Sequence, residues 1–220
     1  MDKRETIQDL IGKEGLLPLF YHNDVELCIE VVRALYDAGV RIVEFTNRGK
    51  NALTNFKVLI RERDASMPGL MMGIGTIKSS EDATNFIDAG ADVLISPTFN
   101  SGVADVAYMN KVLWIPGCMT PTEIHVAENA GCTLIKLFPG NVLGTSYVPA
   151  IKPLFPGLRF VITGGVETSK ENLASWFKSG VVGVGMGSKL ITEKILADKD
   201  YNTLTNNTKE VLQTIQSLKS

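Results

Sequence analysis

Short apolar runs rich in Val, Ile and Leu recur along the chain, separated by segments of helical length. The runs are Leu16–Tyr21, Arg41–Thr46, Leu70–Thr76, Val93–Pro97, Leu113–Cys118, Leu134–Pro139, Arg159–Gly165 and Val181–Gly187. Eight such runs match the strand number of a closed parallel barrel. Between them, Val25–Ala38 puts Leu27, Val31, Ala34 and Leu35 on one stripe, and Ser80–Ala89, Pro121–Asn129 and Ser169–Ser179 also read as helices. Gly39, Gly90, Gly131 and Gly180 stand where a left-handed residue would end a helix before the next strand. Residues from about Arg4 to Glu14 predict a helix over the N-terminal mouth of the barrel. Thr203–Leu218 predicts a final amphipathic helix carrying Leu204, Val211, Leu212, Ile215 and Leu218. A doubly wound open sheet alternates strand and helix in the same way, but Tyr21-His22-Asn23-Asp24 after the first run has no glycine for a dinucleotide fingerprint. The expected fold is therefore α/β, a single (β/α)8 TIM barrel spanning residues 1–220 with an N-terminal helix and an extra C-terminal helix.

The chain of 220 residues is 45% hydrophobic, enough to fill such a core. A net charge of −2 with interspersed signs offers no basic stripe for nucleic acid. No stretch approaches the ~18 apolar residues of a membrane span, and Met1-Asp2-Lys3-Arg4-Glu5 has no secretory h-region. Cys28, Cys118 and Cys132 are odd in number and spaced unlike a disulfide or zinc framework, which predicts free thiols and a cytoplasmic protein.

Two charges interrupt strands that should be greasy on both faces. Glu44 sits in Ile42-Val43-Glu44-Phe45-Thr46, and Lys136 in Leu134-Ile135-Lys136-Leu137-Phe138. Alternation groups Ile42, Glu44 and Thr46 on one face, and Leu134, Lys136 and Phe138 on another. If those faces point inward, the two charges meet near the C-terminal end of the barrel, where catalytic residues of this architecture gather. One reading is a buried structural ion pair, whose desolvation cost often cancels its attraction. The other is a lysine nucleophile, its charged form disfavoured by apolar surroundings so that neutral amine is available. The residues alone leave both open.

Thr163-Gly164-Gly165 closes the seventh run, with a helix expected from about Thr168 or Ser169, and Gly187-Ser188 closes the eighth. Paired glycines let backbone N–H groups approach an anion, and barrels often bind phosphate after their last two strands. Simple tight turns are the plainer explanation of either pair alone. Arg48, just past the second run, and Thr76, at the end of the third, offer a guanidinium fork and a hydroxyl for a substrate carboxylate, the alternative for Arg48 being a solvated loop arginine. His22 and His125 have no partners at metal spacing, so neither a metal nor another cofactor is expected. His125 falls in a helix, on a packed or solvated face, and His22 at the functional end. Cys118 lacks a histidine partner and reads as pocket lining. Trp114, Trp176 and Met109 read as core or interface packing.

Taken in order, Glu44-Phe45-Thr46-Asn47-Arg48, Gly75-Thr76-Ile77, Ile95-Ser96-Pro97, Ile115-Pro116-Gly117, Lys136-Leu137-Phe138-Pro139 and Thr163-Gly164-Gly165 form a specific series. In it the chain resembles, over nearly its whole length, the 2-keto-3-deoxy-6-phosphogluconate and 2-keto-4-hydroxyglutarate aldolases, lyases of the Entner–Doudoroff route and related sugar-acid pathways. The resemblance implies a metal-independent class I aldolase, commonly a homotrimer, acting on a small 2-keto acid with no nucleic-acid or membrane partner. It implies a Schiff base on Lys136, acid–base work at Glu44, and carboxylate binding by Arg48 and Thr76. Thr163 would lie close to the substrate chain, Gly164, Gly165, Gly187 and Ser188 would hold the phosphate, and Pro97 and Phe138 would line the pocket. The chain departs from the family pattern at Thr98-Phe99, where many members carry glycine, at Asn47 and Gly49 beside Arg48, and at Met186 before Gly187. Its rivals are a sugar-phosphate epimerase or thiamine-phosphate-synthase-like barrel, which needs metal ligands or another base, and a non-catalytic barrel that only binds a phosphorylated acid.

Overall fold

The computed structural model describes residues 2–219. Its strands are β1 (Leu16–Phe20), β2 (Ile42–Thr46), β3 (Met71–Gly75), β4 (Val93–Ile95), β5 (Leu113–Ile115), β6 (Gly117–Cys118), β7 (Leu134–Leu137), β8 (Arg159–Thr163) and β9 (Gly183–Met186). Every pairing is parallel, in the order β5-β4-β3-β2-β1-β9-β8-β7-β6. The two ends of that order, β5 and β6, are halves of one run broken at Pro116, which has no N–H to give to a ladder. Ile115 O accepts from Ser96 N on the β4 side (3.0 Å), and Pro116 O accepts from Lys136 N on the β7 side (2.9 Å). The sheet thus closes through a single run, and the architecture is the expected (β/α)8 barrel.

The helices are α1 (Lys3–Glu14), α2 (Val25–Asp37), α3 (Ala52–Ser66), α4 (Ser80–Asp88), α5 (Ser101–Met109), α6 (Pro121–Asn129), α7 (Gly140–Leu143), α8 (Tyr147–Ile151), α9 (Lys170–Ser179), α10 (Glu193–Asp198) and α11 (Tyr201–Lys219). Asp24, Ser79, Thr120 and Ser169 cap α2, α4, α6 and α9 with their side chains. All four predicted helix-ending glycines have positive φ, between 82° and 108°.

Alternation sorts the core into two layers. Leu17, Ile42, Val93, Leu113, Leu134 and Val161 point into the barrel, where Ile7 and Ile11 of α1 close the floor. Val43, Phe45, Ile135 and Leu137 point outward under the helices. Two ion pairs staple α1 in place: Lys3 Nζ lies 2.7 Å from Asp92 Oδ1, and Arg159 Nη1 lies 2.9 Å from Asp9 Oδ1. With its floor plugged, the barrel can admit a ligand only at its C-terminal end. Among the described residues, no helix is long and apolar enough to cross a membrane.

Candidate active site

In the closed order, three strands separate β2 from β7 in either direction, so the two face each other across the barrel. That opposition brings Glu44 and Lys136 together: Nζ stands 3.7 Å from Oε1, with both side chains buried. The other carboxylate oxygen, Glu44 Oε2, is buried and has no hydrogen-bond partner among the described residues. A buried carboxylate oxygen is costly to leave unpaired unless something else visits it, such as a water or a substrate proton. The Lys136 ammonium lies 5.4 Å from the centroid of the Phe138 ring, one of the expected lining residues.

Space for this pair comes from missing side chains. A Cβ on Gly75 would stand 1.8 Å from Glu44 Oε1, and one on Gly185 would stand 2.3 Å from Thr163 Oγ1. Gly117, on the same rung as Lys136, lies so close to Pro97 that a Cβ would meet its carbonyl oxygen at 2.3 Å. Pro97 is thereby brought beside the lysine strand. Thr163 is buried on the inward face. The space-making role of Gly75 and Gly185 does not follow from their strand-end positions alone. Their signal was available as glycines two apart on inward positions, Gly73 with Gly75 and Gly183 with Gly185.

Asn47 N donates to Gly75 O (2.8 Å), extending the β2–β3 ladder by one step, so Arg48 and Thr76 emerge beside each other at the mouth. Arg48 is exposed, and among the described residues no ion pair engages its guanidinium. Thr76 has φ 64°. A β-branched residue in the left-handed region is strained by about 1–2 kcal/mol, and such strain concentrates at functional sites.

Gly164 and Gly165 also have positive φ, 98° and 73°. Their turn packs backbone-to-backbone on α7: a Cβ on Gly165 would lie 2.7 Å from Asn141 Cβ, and one on Gly140 would lie 2.5 Å from Gly164 O. These glycines are therefore required for packing whatever they bind. Helix α9 begins at Lys170 behind its Ser169 cap, as expected, whereas after Gly187-Ser188 a turn intervenes before α10 at Glu193. Ser188 and Gly165 are exposed at the rim.

His22 stands at the mouth, its Nδ1 accepting from Asp24 N (3.1 Å), while His125 is exposed on α6. Trp114 is buried and donates to Ser96 Oγ (2.8 Å), and Trp176 is buried in α9. Met109 is 79% exposed, so of its two expected places the core is excluded. Burial pushes the Cys28 and Cys118 thiols up to about 12 and Cys132 to about 11, far from thiolate chemistry. Among the described residues, no group of three or more His, Cys, Asp or Glu is placed to hold a metal. A concavity of about 250 Å³ opens at the opposite face, between Arg4, Gln8, Tyr108 and Cys132, but it holds no such buried charge pair.

The sequence profile of the KDPG and KHG aldolase family matches residues 7–207. The chain is 29% identical over 211 residues to a 2-dehydro-3-deoxy-phosphogluconate aldolase of Treponema pallidum, covering 96% of this chain and 98% of that one. It is 31% identical over 160 residues to the 2-dehydro-3-deoxy-6-phosphogalactonate aldolase of Escherichia coli, covering 72% of this chain and 76% of the other. A crystal structure of KDPG aldolase from Legionella pneumophila, with pyruvate captured as a covalent carbinolamine, superposes with TM-score 0.84 at 24% identity, over 92% of this chain and 96% of that one, and shares the fold. The match of sequence over nearly the whole length, on a barrel that places a lysine against a glutamate in its mouth, shows that the chain belongs to the KDPG and KHG aldolase family.

Proposed function

We propose that this chain is a class I aldolase that cleaves a 2-keto-3-deoxy-6-phospho sugar acid, or 4-hydroxy-2-oxoglutarate, to pyruvate and an aldehyde, glyceraldehyde 3-phosphate or glyoxylate. The observation that carries the reading is the buried Lys136–Glu44 pair, 3.7 Å apart, with one carboxylate oxygen unpartnered.

Glu44 takes a proton from Lys136, and the neutral amine adds to the C2 carbonyl carbon. The carbinolamine loses its hydroxyl as water, with Glu44 returning the proton, and an iminium remains on Lys136. Glu44 next removes the proton of the C4 hydroxyl. The C3–C4 bond breaks, its electrons forming the enamine, and C4 leaves as the aldehyde. Glu44 gives that proton to C3, which restores an iminium, and water hydrolyses it to pyruvate and free lysine. Dividing one hard step into several is the gain of covalent catalysis, and a positioned acid–base group adds ~10²–10⁴-fold.

Arg48 and Thr76 hold the substrate carboxylate, Thr163 touches the carbon chain, and Pro97 and Phe138 line the pocket. Gly164, Gly165, Gly187 and Ser188 receive the distal phosphate. Residues 1–220 act as one barrel domain in a cytoplasmic homotrimer.

Borohydride added with pyruvate tests the reading. Lys136 should gain the mass of a reduced pyruvate adduct, and Lys136→Ala should gain none while keeping its circular dichroism. Labelling of another lysine in its place would end the assignment. Pyruvate release across a panel of 2-keto acids identifies the substrate.

A further inference from the structure

Strands β8 and β9 pair in register at Thr163 and Gly185. Four residues past each partner stand Glu167 and Lys189, and their side chains meet, Nζ to Oε1 at 3.4 Å. Between that rung and the ion pair lie Gly164 and Gly165 on one loop and Gly187 and Ser188 on the other, so the pair bridges the rim of the cradle those residues form. Both backbones are anchored. Glu167 N donates to Asn172 Oδ1 (2.9 Å), and Leu190 N and Ile191 N both donate to Gly187 O (2.9 Å). Both side chains are more than half exposed, 53% and 60%, and free to rearrange.

We propose that the Lys189–Glu167 bridge is the element that distinguishes phosphorylated from unphosphorylated substrates, Lys189 exchanging the Glu167 carboxylate for the substrate's phosphate. This rests on the phosphate-cradle reading above. An exposed lysine–carboxylate pair is weak, because solvent screens it and two long side chains must be held in one geometry. A phosphate monoester carries close to two charges and three strong acceptor oxygens, so it competes well for the ammonium, while a terminal hydroxyl does not. Without phosphate the bridge stays closed and Glu167 disfavours other anions. With phosphate the lysine turns inward and the carboxylate is released to water.

The test compares kcat/KM for 2-keto-3-deoxy-6-phosphogluconate with that for unphosphorylated 2-keto-3-deoxygluconate in the wild type, Lys189→Met and Glu167→Gln. Both positions are exposed, so both variants should fold. The preference for the phosphorylated acid should fall about tenfold in Lys189→Met and rise severalfold in Glu167→Gln, where the lysine has no competitor. A preference that survives Lys189→Met, or that drops in Glu167→Gln, overturns the bridge and leaves the cradle standing. A wild type with no preference overturns the cradle and the bridge together.

Discussion

Gly75 and Glu44 compete for one volume: the carboxylate of β2 occupies the place where a side chain on β3 would begin, 1.8 Å from an ideal Cβ. Small residues at the top of the barrel are thus the condition for having a charge there. Gly75→Ala should push Glu44 out of reach of Lys136 and strain the barrel wall. A drop in kcat on the order of 10²-fold is expected, comparable with loss of a general acid–base group. Overpacking should also cost about 1–3 kcal/mol in urea unfolding. Activity within threefold of wild type would show that Glu44 is not the proton carrier.

Lys136 and Glu44 also form a buried ion pair, with consequences for stability that are independent of catalysis. Removing one partner leaves the other charge desolvated and unpaired, which typically costs about 3–5 kcal/mol. Lys136→Met should therefore be destabilised by that order at neutral pH. Adding Glu44→Gln to Lys136→Met should recover most of the loss, because a neutral amide no longer needs a counter-charge. A double variant as unstable as the sum of the singles would mean that the pair is not energetically coupled.

The barrel and the meeting of these two charges were legible in the sequence because both follow from local rules. The eight apolar runs each needed a partner, and strand alternation grouped Glu44 with Ile42 and Thr46, and Lys136 with Leu134 and Phe138, on faces that the fold turns inward. The break of the fifth run at Pro116 was not evident, since a proline two residues before Cys118 reads equally as a strand end. Helix α3 is hidden in the sequence because Arg61-Glu62-Arg63-Asp64 interrupts its apolar stripe, and α5 because its turns are built of Gly and Ala between single valines. Glu167 and Lys189 were invisible for another reason. Their contact depends on the register of β8 against β9, which no periodicity reports.

Thr76 holds a φ of 64° that glycine would adopt without strain. Thr76→Gly relieves about 1–2 kcal/mol of folded-state strain and adds nearly as much freedom to the unfolded chain. Stability should then change by less than about 1 kcal/mol. The proposed hydroxyl contact to the substrate carboxylate is lost, worth about 1.5–3 kcal/mol for a hydrogen bond to a charged group. KM for the keto acid should rise about tenfold or more with kcat less affected. An unchanged KM would remove Thr76 from the carboxylate site.

Glu14 makes stability depend on pH at the opposite end of the barrel. Its Oε1 accepts from Arg41 N (2.8 Å), while Oε2 is buried without a partner among the described residues. Burial raises its pKa from 4.5 to about 7, against the smaller opposing pull of the Arg41 hydrogen bond and of the Arg41 and Lys13 charges. A carboxyl that keeps its proton longer when folded binds more protons in the native than in the unfolded state. Its contribution is therefore fully present below about pH 4.5 and is lost as pH rises through 7. At about 1.4 kcal/mol per unit the loss is on the order of 3 kcal/mol. Glu14→Gln keeps an acceptor for Arg41 N and cannot ionise, so the variant should match the wild type at pH 4, below the unfolded value, and exceed it at pH 8. Urea midpoints at the two pH values measure this directly. Equal pH dependence in the two proteins would show that the carboxyl ionises in the folded protein as it does in water.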